Sequence, residues 1–215
     1  MMSTIASLFL PRLGTGPMLL AMAADFGVSY GAVSNAFVAV SAGFVVAILG
    51  SGFVTHLLRH RWTVVIAAAI GGGGAMWVGL ARSLQAAYVG FVLLGAGAGL
   101  YSPSGLAVVR EIVVPRDQGK AVGIHELGPN IAFVLAPLLV SAILPRSDWR
   151  TAMLVMAAVP LGVSVLLVFF GRFGWGQGER PLPKNMVEVM RDRSFWILTL
   201  AFVLAALGSL GVFSI

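Results

Sequence analysis

The sequence predicts an all-α membrane protein, a six-helix transmembrane bundle followed by a seventh transmembrane helix. Three observations carry this prediction. Hydrophobic residues make up 59% of the 215-residue chain and charged residues only 10%, whereas a soluble domain carries roughly 25% charge. Apolar runs of about 20 residues, enough to cross roughly 30 Å of hydrocarbon, recur along the whole chain. The chain also holds 27 glycines, and glycine is commoner in spanning helices than in soluble ones.

Taken in order, the spans are predicted over residues 4–23, 31–55, 63–81, 86–109, 121–144, 151–170 and 194–215. The first is a span rather than a signal peptide, because no basic residue precedes its apolar run. Connections up to residue 170 are mostly a few residues long, which makes neighbouring helices antiparallel. Segment 171–193 is polar, contains Pro181 and Pro183, and reads as a linker. The expected organisation is a bundle over 1–170, a cytoplasmic linker over 171–193, and the start of a second bundle over 194–215.

Charge sets the direction of the chain. Loops after the second, fourth and sixth spans hold Arg59, Arg61, Arg110, Arg116, Lys120, Arg172, Arg180, Lys184, Arg191 and Arg193, against Arg82, Arg146 and Arg150 on the other side. The positive-inside rule places the first set, and with it the N-terminus, in the cytoplasm. The expected location is a bacterial inner (plasma) membrane. The net charge of +6 belongs to a membrane surface and not to a nucleic-acid interface. Absence of cysteine excludes disulfides, thiolate metal sites and thiol nucleophiles. Trp62, Trp149, Trp175 and Trp196 fall near predicted span ends, as an interfacial belt requires, while Trp77 falls inside a span.

Three ionisable residues fall within spans: Arg12 in the first, His125 and Glu126 in the fifth. Such groups cost about 2.5–3.5 kcal/mol each at a helix centre on insertion scales, so they face a cavity or a partner. Two readings stay open. Arg12 and Glu126 form a structural ion pair, or Arg12 binds an anionic substrate through its fixed fork of donors while Glu126 or His125 takes up a coupling proton. Asn130 lies four positions after Glu126, hence on the same helix face. Pro129 and Pro137 remove backbone donors from this span, either as plain bends or as breaks that present backbone groups to a substrate. Tyr101, Ser102 and Ser104 flank Pro103 and either line the same cavity or bond to neighbouring helices. The glycines at 71–74, 95, 97, 99, 43, 50 and 52 are expected to let backbones approach closely. They are no nucleotide fingerprint, since Gly119-Lys120 is followed by Ala121.

Several motifs together resemble those of the major facilitator superfamily (MFS), its N-terminal half plus the first helix of the C-terminal half. Asp25-Phe26-Gly27-Val28-Ser29 is similar to the turn after the family's first helix. GFVTHLLRHR, from Gly52 to Arg61, stands where the family has its loop signature G-x-x-x-D-R-x-G-R-R. Gly52 and Arg61 match, while His56 replaces the acid, Leu57 a basic residue and Arg59 the second glycine. Gly95, Gly97 and Gly99 match a glycine-rich stretch, with Phe91 and Leu94 where the family commonly has Arg and Gln. Ala136-Pro137, Asp148-Trp149-Arg150 and the DRSFW run from Asp192 to Trp196 complete the series. The resemblance implies a secondary transporter moving a small solute, symport or antiport, by alternating access. It implies that Arg12, Glu126, His125, Asn130 and Tyr101 line the solute cavity, and that Gly52, His56, Arg59 and Arg61 form the cytoplasmic gating loop. It also implies a fragment of a twelve-helix chain about twice as long, whose missing C-terminal helical bundle supplies the rest of the cavity.

Other classes fare worse. An intramembrane serine protease needs a Ser–His pair within spans, yet His56 and His60 fall in the basic loop and no G-x-S-x-G frame occurs. A retinal-based pump needs a lysine in the last helix, and 194–215 has none. No enzyme activity, cofactor or metal is therefore expected, and a channel subunit or non-transporting membrane scaffold is the remaining alternative.

Overall fold

The computed structural model describes residues 1–178 and 183–212; Arg180, Pro181 and the expected end of the last span at 213–215 lie outside the described residues. Its helices are α1 (Met2–Phe26), α2 (Tyr30–Ser34), α3 (Ala36–Leu80), α4 (Leu84–Ile112), α5 (Gln118–Ile143), α6 (Trp149–Phe170), α7 (Pro183–Arg191) and α8 (Arg193–Val212). The chain divides into two units, Met1–Glu179 and Arg180–Ile215. In the second unit, Asp192 Oδ1 accepts from the Ser194 amide (2.8 Å) and Trp196 Nε1 donates to the Met190 carbonyl (2.8 Å), joining α7 to the apolar α8.

Helix ends follow from local chemistry. Gly27 adopts a left-handed conformation (φ 63°) that closes α1 with hydrogen bonds to the Ala23 and Ala24 carbonyls, the commonest glycine stop. Ser29 then caps α2 through the Ala32 amide, and Ser83 caps α4 through the Ala86 amide, each satisfying one orphan donor. Asp148 Oδ1 accepts from the Thr151 amide (2.7 Å) at the start of α6. That backbone hydrogen bond holds the Asp148 carboxyl below the usual carboxylate range.

Five helical stretches are long and apolar enough to cross a membrane, and one of them, Tyr30–Leu80, has 51 residues, over twice one crossing. The expected loop between the second and third spans is absent. Helix continues through it, broken at Arg59 alone (φ 63°, ψ 160°). Apolar length marks where the bilayer ends but not where helical backbone ends, and Leu57 and Leu58 sustain the helix beyond the span.

Glycine contacts fix how the two limbs of α3 run. On the first limb, Val40 and Phe44 back onto Gly95, and Phe44 and Ile48 onto Gly99, so this limb is parallel to α4. On the second, Gly71 meets Gly97 and Val78 meets Gly90, so numbering runs the opposite way and the limb is antiparallel to α4. The limbs are therefore antiparallel to each other, with α4 against both. On the other side, Gly128 of α5 packs on Ile5 and Val140 lies by Gly14, making α1 and α5 parallel. Gly50 and Gly73, expected at close contacts, have open space where a Cβ would stand.

The core between these helices is built from Met18, Met22, Phe91, Leu94, Met153, Met156 and Trp149. Phe91 and Leu94, standing at family Arg and Gln positions, are fully buried in it. Outward faces are apolar: Val38, Val45, Val46, Leu49 and Phe53 on α3, and Leu127, Ile131, Val134 and Leu138 on α5 are all exposed. Faces of that extent require lipid or another helix against them.

A methyl at residue 97 would meet the Gly71 backbone at 2.5 Å and the Ala67 carbonyl at 2.6 Å, with no flexible side chain to yield. Gly97→Ala is expected to cost about 1–3 kcal/mol through forced backbone shifts, read as a lowered Tm in detergent. Gly73→Ala, facing open space, is expected to leave Tm unchanged or raise it, since alanine is the better helix former.

Candidate functional site

Four of the five residues expected at the solute cavity come together where α1, α4 and α5 meet. His125 on α5 is 3% exposed and Tyr101 on α4 is 1% exposed. The Tyr101 hydroxyl donates to the Met1 carbonyl (2.9 Å) and lies 3.0 Å from His125 Nε2. His125 Nδ1 lies 3.0 Å from Glu126 Oε1, and the Glu126 side chain is 59% exposed. Tyr101 and His125 also stack, with ring centroids 5.9 Å apart and planes within 8°. Asn130, exposed on the same face as Glu126, donates to the Glu126 backbone carbonyl (2.9 Å).

A tyrosine hydroxyl has one hydrogen, and here it goes to Met1. The two ring nitrogens of His125 face the Tyr101 oxygen and Glu126 Oε1, each as donor or acceptor according to the tautomer of the ring.

Arg12 stands apart from this chain. Its guanidinium lies over the Phe9 ring (5.3 Å) and the Phe44 ring (5.6 Å). Among the described residues no carboxylate pairs with it. The expected alternative of an Arg12–Glu126 ion pair is thus not formed, because the adjacent His125 ring takes the Glu126 oxygen. Ser102 bonds back to the Ala98 carbonyl of its own helix (2.9 Å). Ser104 is fully buried and its hydroxyl has no hydrogen-bond partner.

The residues of the expected gating loop lie at the α3 bend. Gly52 offers its carbonyl to Thr55 Oγ1 (3.2 Å). His56 Nδ1 donates to the Gly178 carbonyl (3.2 Å) and Arg61 Nη2 to the Val168 carbonyl (3.0 Å). Arg59 is exposed and occupies the bend itself.

A further cluster, not expected from the sequence, lies at the opposite end of the bundle. Arg150 Nη2 pairs with Asp25 Oδ2 (2.7 Å), its Nη1 donates to the Gly79 and Ala81 carbonyls, and its guanidinium lies 4.5 Å from the Trp149 ring. Trp149 Nε1 donates to the same Asp25 oxygen (3.3 Å). This clasp ties the end of α1, the C-terminal carbonyls of α3 and the start of α6, a cation at a helix C-terminus being favourable. Asp25 and Trp149-Arg150 were visible as separate motifs, and their contact across 125 positions is decided by the fold.

Comparison with known proteins agrees with this architecture. The Major Facilitator Superfamily model matches residues 1–215. The uncharacterized MFS-type transporter YhcA of Bacillus subtilis is 27% identical over 135 residues, 63% of this chain and 23% of that protein. Multidrug resistance protein fnx1 of Schizosaccharomyces pombe is 30% identical over 135 residues, 62% of this chain and 24% of that protein. A crystal structure of peptide transporter POT in complex with sulfate superimposes with a TM-score of 0.68 at 17% identity, covering 98% of this chain and 46% of that one. The proton:xylose symporter XylE bound to 6-bromo-6-deoxy-D-glucose gives 0.67 at 16% identity, covering 78% and 43%. The chain thus spans about half the length of the solved transporters it matches. Its helices, its motifs in order and the family match over every residue make it an integral membrane protein that belongs to the major facilitator superfamily of transporters.

Proposed function

We propose that this chain forms one half of a secondary active transporter, which moves a small organic anion by alternating access in exchange or cotransport with a proton. In this reading residues 1–170 are its first bundle, 171–193 a cytoplasmic linker, and 194–215 the start of a second bundle. The observation that carries this reading is the Met1–Tyr101–His125–Glu126 hydrogen-bond chain inside membrane-spanning helices. A titratable pair placed there at a desolvation cost marks a proton or substrate path by default.

Arg12 supports the anionic solute. Its charge is stacked on two aromatic rings and balanced by no carboxylate among the described residues, so an arriving anion meets a guanidinium with its fork of donors unspent. Proton release from the His125–Glu126 pair has a defined structural consequence. The ring changes tautomer, Nδ1–H donates to the Glu126 carboxylate, and Nε2 becomes an acceptor. Tyr101 then turns its hydrogen from the Met1 carbonyl to Nε2, so a contact between α4 and α1 is lost with the proton. Such a two-state contact is what alternating access needs.

The full-length transporter reconstituted in vesicles and assayed against labelled carboxylates tests this. Glu126→Gln is expected to abolish accumulation driven by a proton gradient while gradient-free exchange continues. Arg12→Ala is expected to weaken solute binding about 10–100-fold, the worth of a charge-assisted hydrogen bond. Gradient-driven uptake untouched by both substitutions rules the site out, whereas no gradient-driven uptake by the unsubstituted protein favours a scaffold or channel subunit.

Tyr101→Phe removes the hydroxyl that serves both the Met1 carbonyl and Nε2. Leaving these groups unpaired is expected to cost about 1–3 kcal/mol, seen as a lower Tm in detergent, together with proton leak in the absence of solute.

A further inference from the structure

Arg59 combines features that the transport reading leaves unused. Among the described residues it is the only non-glycine with a positive φ. Its φ of 63° with ψ of 160° falls in a region open essentially to glycine alone. The chain thus holds a guanidinium at the bend at the expense of backbone strain. Strain of this kind persists where the surroundings over-determine it, and points to a role for the side chain.

The surroundings are a strap made by residues 171–178. Gly174, at φ 66°, turns the strap so that its carbonyl accepts from the Arg61 amide (3.0 Å), the Gly176 carbonyl accepts from the His60 amide (3.2 Å), and the Gly178 amide donates to the Thr55 carbonyl (3.3 Å). Trp175 is thereby set over the Arg61 guanidinium at 5.4 Å, with Trp62 at 5.2 Å. Between strap and bend lies a cavity of about 250 Å³ lined by Leu57, Leu58, Arg59, Arg61, Trp62 and Trp175. None of its lining residues is acidic. Arg61 spends one donor on the Val168 carbonyl, while its Nε is buried without a hydrogen-bond partner. No carboxylate pairs with either arginine among the described residues.

The cavity therefore has a doubly cationic floor, and its rim is apolar and open: Leu57 is 76% exposed and Trp175 56%. We propose that the α3 bend and the strap form a binding site for the phosphate headgroup of an anionic phospholipid, held by Arg59 and Arg61 with Trp62 and Trp175 at its rim. Arginine suits phosphate through its planar fork of donors. Tryptophan belongs at the headgroup level, and basic pockets between spanning helices take such headgroups. A free phosphate ion offers the same charge but gains nothing from the exposed leucines and indoles, which match the glycerol and first acyl carbons of a lipid. The site lies on the side that loop charge assigns to the cytoplasm, where anionic lipid is concentrated.

The test uses the delipidated full-length transporter titrated with brominated phosphatidylglycerol or brominated phosphatidylcholine, read by tryptophan quenching and by native mass spectrometry. Phosphatidylglycerol is expected to bind more tightly than phosphatidylcholine. Arg59→Gln is expected to reduce that preference roughly fivefold, the effect of one basic residue near the surface. Arg59→Gly is expected to reduce it equally while raising Tm, because it relieves the backbone; this separates lost binding from lost folding. Equal binding of the two lipids, or an unchanged preference in both variants, overturns the proposal. Displacement of phosphatidylglycerol by millimolar inorganic phosphate also overturns it, identifying a soluble phosphate as the occupant.

Discussion

Everything in the first unit rests on backbone contact between α4 and the two limbs of α3. In hydrocarbon there is no hydrophobic force between helices, because lipid tails are as apolar as leucine, and association depends on close packing. Gly95 and Gly99 let one limb approach until backbone meets backbone, and Gly97 and Gly90 do the same for the other. Alternate glycines point to different sides of one helix, so a single G-x-G-x-G run serves two neighbours. With α3 and α4 so fixed, α6 packs on the second limb through Gly72 and Gly79, and α1 and α5 close the bundle.

Among the polar interactions placed on this frame, two clusters join helices distant in sequence. At one end the Asp25–Arg150 clasp binds α1, α3 and α6. Where α1, α4 and α5 meet, Tyr101 and His125 do so through the Met1 carbonyl and the Glu126 carboxylate. The two differ in kind. The clasp is an Arg–Asp ion pair reinforced by helix-end carbonyls, whereas the histidine chain links a hydroxyl, a ring and a carboxylate.

The bend at Arg59 shows how one residue sets the chemistry of a turn. The positive φ is a requirement of reversing the chain within one residue, and glycine meets it without strain. An arginine there keeps the turn at a cost and adds a cation beside Arg61. Because the strap from residues 171–178 closes over that turn, the cationic floor and the indole rim come from segments more than a hundred positions apart.

By itself the sequence determined the membrane class, the approximate position of the spans, and which ionisable residues fall within them. Those follow from composition and from runs of apolar residues, which are properties of single segments. It also displayed the family motifs, Asp25 and Trp149-Arg150 among them, without saying that they touch. Only the tertiary structure decided that Glu126 takes His125 rather than Arg12, that two antiparallel helices meet at Arg59 where a loop over 56–62 is expected, and that Gly50 and Gly73 face open space while Gly95 and Gly97 do not. Helical periodicity tells which residues share a face, but which helix covers that face depends on the azimuth and crossing of each neighbour. In a bundle whose surfaces are apolar all round, no stripe in the sequence encodes that choice, and backbone-to-backbone packing makes it.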